Sequence, residues 1–166
     1  MDIITQLSIS NSYFFNNKIN SLSNIGGGSG NPCLNSINAL SKIEITLSIF
    51  RNNQAFDESN CMNINGMSFY LSDTIFEGMN YISTEPYLGN TGSLTISSDA
   101  AFLWNVTFVR NQAFKAAAIF LKNVNGLEQT FDFEEVAFSF YKNHIFLLIL
   151  APNYRKFSIS NSCDRI

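Results

Sequence analysis

Apolar residues alternate with polar ones in short segments along the whole chain, which is the pattern of β-strands with one inward face. The segments become comparable when each is aligned on a phenylalanine that follows it. We call this position the anchor and number the other positions of each copy from it. The anchors are Phe14, Phe50, Phe76, Phe108 and Phe138, and a sixth copy has Asp164 there.

Two columns of apolar residues precede the anchor. Position −7 holds Leu7, Ile43, Phe69, Ala101, Phe131 and Phe157. Position −5 holds Ile9, Ile45, Leu71, Leu103, Phe133 and Ile159. Because residues two apart share one face of a strand, these columns predict inward side chains, with positions −6 and −4 facing outward. The copies begin 26 to 36 residues apart, which is within the range of repeats that stack into solenoids.

Asparagine is the second repeated residue. The chain contains 22 asparagines, and Asn17, Asn53 and Asn111 each stand three residues after an anchor. Aligned side-chain amides in stacked strands can form a hydrogen-bonded ladder. The third copy has Met79 at this position, so the predicted ladder is imperfect.

These repeats predict an all-β fold, specifically a right-handed parallel β-helix (solenoid) of about five coils that occupies residues 1–166 as a single domain. A β-sandwich of short strands is the alternative. The longest intervals predict loops at residues 20–38, which include a glycine cluster, and at 83–92. Neither terminal copy has a polar cap. We therefore expect either a segment of a longer repeat protein or another chain that covers the uncapped ends.

The motif Phe-x-x-Asn, together with Gly26-Gly-Gly-Ser-Gly30, resembles the repeats of polymorphic outer-membrane autotransporters and related pectin-lyase-like parallel β-helices. The resemblance extends over about residues 7 to 166. It implies a passenger-type region used in adhesion or surface display, and it implies no catalytic residue.

Composition narrows the functional classes. The net charge of −3 and pI near 5.0 provide no basic patch for nucleic acid. The longest apolar run, residues 145–152, is too short to span a bilayer, and no signal peptide is visible. Cys33, Cys61 and Cys163 lack the spacing of a zinc site, so no metal or cofactor is expected. The sequon at Asn105 favours an extracellular or cell-surface location.

The outward columns contain one discordant group. Most residues at positions −6 and −4 are polar, but Tyr70, Phe102 and Trp104 are aromatic and occur in neighbouring copies. Asp132 and Glu134 occupy the same positions in the next copy. Aromatic rings stack on sugar faces and carboxylates accept hydrogen bonds from hydroxyl groups, so this group is the candidate binding surface for a glycan or a protein partner.

Two functions follow from these observations. The first is a non-catalytic structural or adhesive module of a larger surface or secreted protein. The second is a carbohydrate-binding or carbohydrate-active β-helix, in which the paired carboxylates resemble those of a glycoside hydrolase or lyase.

Overall fold

The computed structural model describes residues 6–18, 33–36, 41–56, 62–82, 93–112, 118–122, 130–139 and 147–150. This part of the chain is mostly β-strand and contains no helix, which confirms the all-β prediction. Its strands are β1 (Gln6–Ser10), β2 (Tyr13–Phe15), β3 (Leu34–Ser36), β4 (Lys42–Thr46), β5 (Ile49–Arg51), β6 (Gln54–Phe56), β7 (Met62–Ile64), β8 (Ser68–Glu77), β9 (Asn80–Ile82), β10 (Leu94–Ile96), β11 (Ala100–Val109), β12 (Ile119–Lys122), β13 (Thr130–Ser139) and β14 (Leu147–Leu150).

The strands form parallel sheets whose strand order follows the chain. The largest sheet has the order β1-β4-β8-β11-β13, with β2 paired to β5 and β5 paired to β8. A second sheet has the order β3-β7-β10-β12-β14, and β6 pairs with β9 in a third. Every ladder between these strands is parallel. The β-sandwich considered as an alternative consists of antiparallel sheets, so this pairing does not favour it.

The register of the largest sheet places equivalent positions of successive copies side by side. At position −7, Ile43 pairs with Phe69, which pairs with Ala101, which pairs with Phe131. All four side chains are at most 2% exposed. In the first copy Leu7 is 37% exposed, because β1 has a neighbour on only one side among the described strands.

The anchor phenylalanines form a continuous stack. Neighbouring rings from Phe14 to Phe138 have centroids 4.7, 4.9, 4.9 and 5.4 Å apart, with interplanar angles of 8–12°. Phe50, Phe76 and Phe108 are fully buried. The spacing matches the distance between neighbouring strands in a sheet, so the backbone repeat sets the separation of the rings.

The described copies bend at residues with left-handed backbone, at up to two places in each copy. The first bend lies three residues before the anchor, at Asn11, Leu47, Asp73, Asn105 and Glu135, where φ is between 47° and 53°. The second lies two residues after the anchor, at Asn16, Asn52, Gly78 and Arg110, where φ is between 53° and 62°. Asparagine tolerates this conformation better than most residues do, which gives the asparagine-rich composition a structural reason.

Asn53 and Asn111, each three residues after an anchor, are buried against the second bend of the preceding copy. The side-chain amide of Asn53 donates to the carbonyl of Phe14, at 2.9 Å, and its oxygen accepts from the backbone N–H of Asn17. Asn111 makes the equivalent bonds to the carbonyl of Phe76 and the N–H of Met79. These amides therefore satisfy backbone groups that the bend removes from the strand ladders.

The interruption expected in the asparagine ladder has a specific geometry. Asn17 and Asn53 are joined directly, with Nδ2 of Asn17 donating to Oδ1 of Asn53 at 2.9 Å. Met79 occupies the next level, is fully buried, and places its sulfur 3.8 Å from Nδ2 of Asn53. Asn111 lies beyond it and hydrogen-bonds to backbone rather than to another amide.

The second and third sheets were not predicted from the sequence. Strand β3 lies within the interval 20–38, which was predicted to be a loop. Apart from Cys33, the rest of that interval, including the glycine cluster, lies outside the described residues, as do residues 83–92. The sixth copy, with Asp164, also lies outside them.

Leu47 provides a test of the bend geometry. It is 59% exposed and has a φ of 50°, so its side chain gains little from burial and strains the backbone. We expect Leu47→Asn to raise the free energy of unfolding by about 0.5–1 kcal/mol, because asparagine is less costly in left-handed backbone. Urea denaturation measures the change. Leu47→Ala is the control, since it removes the apolar side chain and keeps the strain. A loss of stability in Leu47→Asn would contradict the assigned conformation.

Candidate functional site

The structure brings the five candidate residues together on the outer face of the largest sheet. Phe102 on β11 lies between Tyr70 on β8 and Asp132 on β13. Trp104 pairs with Glu134 in the same register. The three aromatic side chains are 41–43% exposed. In parallel in-register strands, positions −6 and −4 form rows across the sheet, and this arrangement makes neighbours of residues about 30 positions apart in the sequence.

These side chains line an open depression of about 320 Å³. Its wall consists of Tyr70, Phe102, Trp104, Asp132 and Glu134, with a contribution from Leu103; we call it the aromatic depression. The rings supply apolar surface, and the two carboxylates lie along one side. A ligand here would rest on a rigid sheet surface instead of being enclosed.

One outward position departs from the expected exposure. Ser72, at position −4 of the third copy, is only 4% exposed. In register it lies between Thr46 and Trp104, both of which have larger side chains. The small side chain of Ser72 is shielded from solvent by its two larger neighbours. The surface of the sheet is therefore lower at Ser72 than at the indole of Trp104.

The carboxylates of the aromatic depression differ in their surroundings. Glu134 is exposed, while Asp132 is partly buried. The Oδ1 atom of Asp132 is buried and accepts no hydrogen bond from the described part of the chain. A buried acceptor that has no donor is energetically unfavourable. On one strand face the two residues are separated by roughly 6.5–7 Å along the backbone, a spacing compatible with a paired-carboxylate reaction.

A charged cluster near the second bend was missed by the sequence analysis. Glu77 accepts from Nε of Arg51 at 2.6 Å and also forms an ion pair with Arg110. Arg51 and Glu77 are paired in register, so opposite charges at position +1 of consecutive copies were the signal. The cluster gives this part of the sheet its positive charge, whereas the aromatic depression has negative charge.

A second depression, of about 380 Å³, lies beside that cluster. Asn16, Lys18, Asn52, Gln54 and Gly78 line it. A Cβ at Gly78 would lie 2.5 Å from Oδ1 of Asn52, and the φ of Gly78 is +62°. Glycine at this position therefore leaves room for the neighbouring amide. The lining is mostly neutral and polar, without exposed aromatic surface.

The sequon residue Asn105 lies at the first bend of its copy. Asn105 is exposed, and its Nδ2 atom donates a hydrogen bond to Oδ1 of Asp73 at 2.8 Å. This nitrogen is the atom to which a glycan would be attached, so in the folded chain it is engaged with the neighbouring copy.

Cys33 is a free thiol packed against the core, and burial raises its pKa from 9.0 to about 12. Cys61 and Cys163 lie outside the described residues. Within the described part of the chain, no three His, Cys, Asp or Glu side chains are grouped so as to hold a metal ion. The same ranges contain no helix long and apolar enough to cross a membrane.

Comparisons with known proteins gave no family for the chain. No family model matches it, and neither a curated protein nor a solved structure is significantly similar to it. The autotransporter and pectin-lyase-like resemblance therefore remains an expectation based on the repeat motif.

The raised pKa of Cys33 predicts slow alkylation. At pH 9 an unperturbed thiol is about half ionised, whereas a thiol of pKa about 12 has roughly a hundredth to a thousandth as much thiolate. We expect iodoacetamide to modify Cys33 correspondingly slowly in a Cys61→Ser/Cys163→Ser variant, measured by mass spectrometry. The same variant in urea is the control and should react rapidly. Equal rates in both conditions would show that Cys33 is not buried.

Proposed function

We propose that the chain is a right-handed parallel β-helix of about five coils. Three features support this proposal: parallel pairing, strand order that follows the chain in both larger sheets, and the stacked anchors at one level per copy. A right-handed crossover is the usual connection between parallel strands of one sheet. Each copy would then be one coil, with the inward columns at positions −7 and −5 and the anchor filling its interior.

The proposed function is that of a non-catalytic structural or adhesive module of a larger surface or secreted protein. The observation that carries it is the aromatic depression, where three exposed aromatic side chains form one patch on the outside of a regular sheet. Exposed apolar patches of this kind are typical of surfaces that contact a partner. The motif resemblance to autotransporter passenger regions supports the same proposal.

Carbohydrate binding is the second candidate, and one specific arrangement favours it. Trp104 and the carboxylates Asp132 and Glu134 line the same depression. An indole can stack on the apolar face of a sugar while the carboxylates accept hydrogen bonds from its hydroxyl groups. A carbohydrate-active enzyme would use the same two carboxylates as acid and base, whereas an adhesive module needs only the contacts.

A glycan array combined with a polysaccharide cleavage assay tests these proposals. For the carbohydrate-binding candidate, we expect binding that Trp104→Ala reduces at least roughly fivefold, because a desolvated aromatic contact contributes more than about 1 kcal/mol. Tyr13→Ala is the matched control, since Tyr13 is 54% exposed but lies outside the depression. We expect no cleavage by the wild-type chain. Cleavage that is lost in both Asp132→Ala and Glu134→Ala would overturn the non-catalytic proposal in favour of an enzyme.

A further inference from the structure

Charge is unevenly distributed over the outer face of the largest sheet. In its first half, from position −6 to the first bend, there are five carboxylates: Glu44, Asp73, Asp132, Glu134 and Glu135. The described bases Lys18, Arg51 and Arg110 lie beyond the anchor, and Arg51 and Arg110 are paired with Glu77. Lys42, at the start of β4, lies just before this half, at position −8. Among the described residues, no ion pair joins these five carboxylates to a base.

The register places these carboxylates on both sides of the aromatic rings. Glu44 pairs with Tyr70, which pairs with Phe102, which pairs with Asp132. Within this row, two aromatic rings thus lie between two carboxylates. Trp104 adds a third ring in the adjacent row, next to Glu134.

Aromatic faces and carboxylates share one electrostatic preference. The face of an aromatic ring carries partial negative charge and attracts cations, tryptophan most strongly. A neutral sugar would use the apolar surface of the rings but would not compensate the carboxylates. A ligand with an ammonium group interacts favourably with both.

The surroundings of Asp132 also favour a cation in the aromatic depression. Its buried Oδ1 atom accepts no hydrogen bond from the described residues, so its charge is not offset there. A positive charge in the depression would act on this carboxylate over several ångströms without needing direct contact, because the surrounding rings and the sheet reduce solvent screening.

We propose that the aromatic depression binds an organic ammonium group, held between the faces of Tyr70, Phe102 and Trp104 and neutralised by Asp132 and Glu134. Such a group occurs both in amino sugars and in lysine or methylated lysine side chains. This inference rests on the proposal that the depression is the binding face of the module, and it specifies the charge of the ligand.

Trp104 supplies a direct signal for the test, because it is the only tryptophan in the chain and is 43% exposed. Its fluorescence is followed while the chain is titrated with tetramethylammonium chloride, a trimethyllysine peptide, a glucosamine tetrasaccharide and the neutral N-acetylated form of that tetrasaccharide. Sodium chloride at equal ionic strength is the blank. Comparison of the peptide with the amino sugar distinguishes the two sources of the ammonium group.

We expect saturable binding of at least one ammonium probe, with the N-acetylated sugar bound roughly tenfold more weakly or not at all. Asp132→Asn and Glu134→Gln should each weaken the binding roughly fivefold to tenfold, and added salt should weaken it further. Asp99→Asn is the matched control, because it removes one negative charge from an exposed residue outside the depression. It should leave the affinity unchanged.

Three results would overturn the inference in different ways. If the neutral sugar binds as tightly as the ammonium probes, the depression is a glycan site without charge selection. If Asp132→Asn and Glu134→Gln both bind the ammonium probes as the wild type does, the two carboxylates do not neutralise the ligand and the inferred charge selection is wrong. The proposed binding module would survive either result. If no ammonium probe binds while the circular dichroism spectrum indicates folded chain, the ammonium site is wrong, and the glycan array then decides separately whether the depression binds anything.

Discussion

The in-register parallel pairing of successive copies is the constraint on which the rest of the structure depends. It places Phe50 beside Phe76 and Phe76 beside Phe108, with ring centroids 4.9 Å apart in both cases. A shift of one residue would turn the inward columns outward and separate the rings. The bends depend on the same register, since Asn111 reaches the carbonyl of Phe76 only when the copies are aligned on their anchors.

The register also creates the candidate site. Tyr70, Phe102 and Asp132 lie in different copies, and only the alignment of the strands makes them a continuous row. A rigid sheet fixes the spacing of such a row at about 4.8 Å per copy. A binding surface built in this way requires little ordering of side chains when a ligand arrives, which favours affinity. The in-register pairing of the strands thus accounts for both the fold and the proposed binding surface.

The sequence predicted this first sheet in detail because each copy keeps a constant distance between its apolar columns and its anchor. The second sheet escaped prediction because the distance from an anchor to the next strand varies: Met62 follows Phe50 by 12 residues, but Leu94 follows Phe76 by 18. Alignment on the anchor does not superpose those strands. The exposure of Leu7 and the contacts of Met79 depend on which residues of neighbouring copies lie beside them. An alignment of equivalent positions in the sequence does not show those contacts.

The register is tested most directly by disulfide cross-linking between copies. Ser10 and Thr46 are paired in register, and their hydroxyl oxygens lie 2.9 Å apart. The account predicts that a Ser10→Cys/Thr46→Cys chain forms that disulfide under mild oxidation, identified by mass spectrometry of a digest. Ser8→Cys/Thr46→Cys, displaced by two residues, should not form it efficiently. Equal cross-linking of both pairs, or preference for the displaced pair, would contradict the in-register stack.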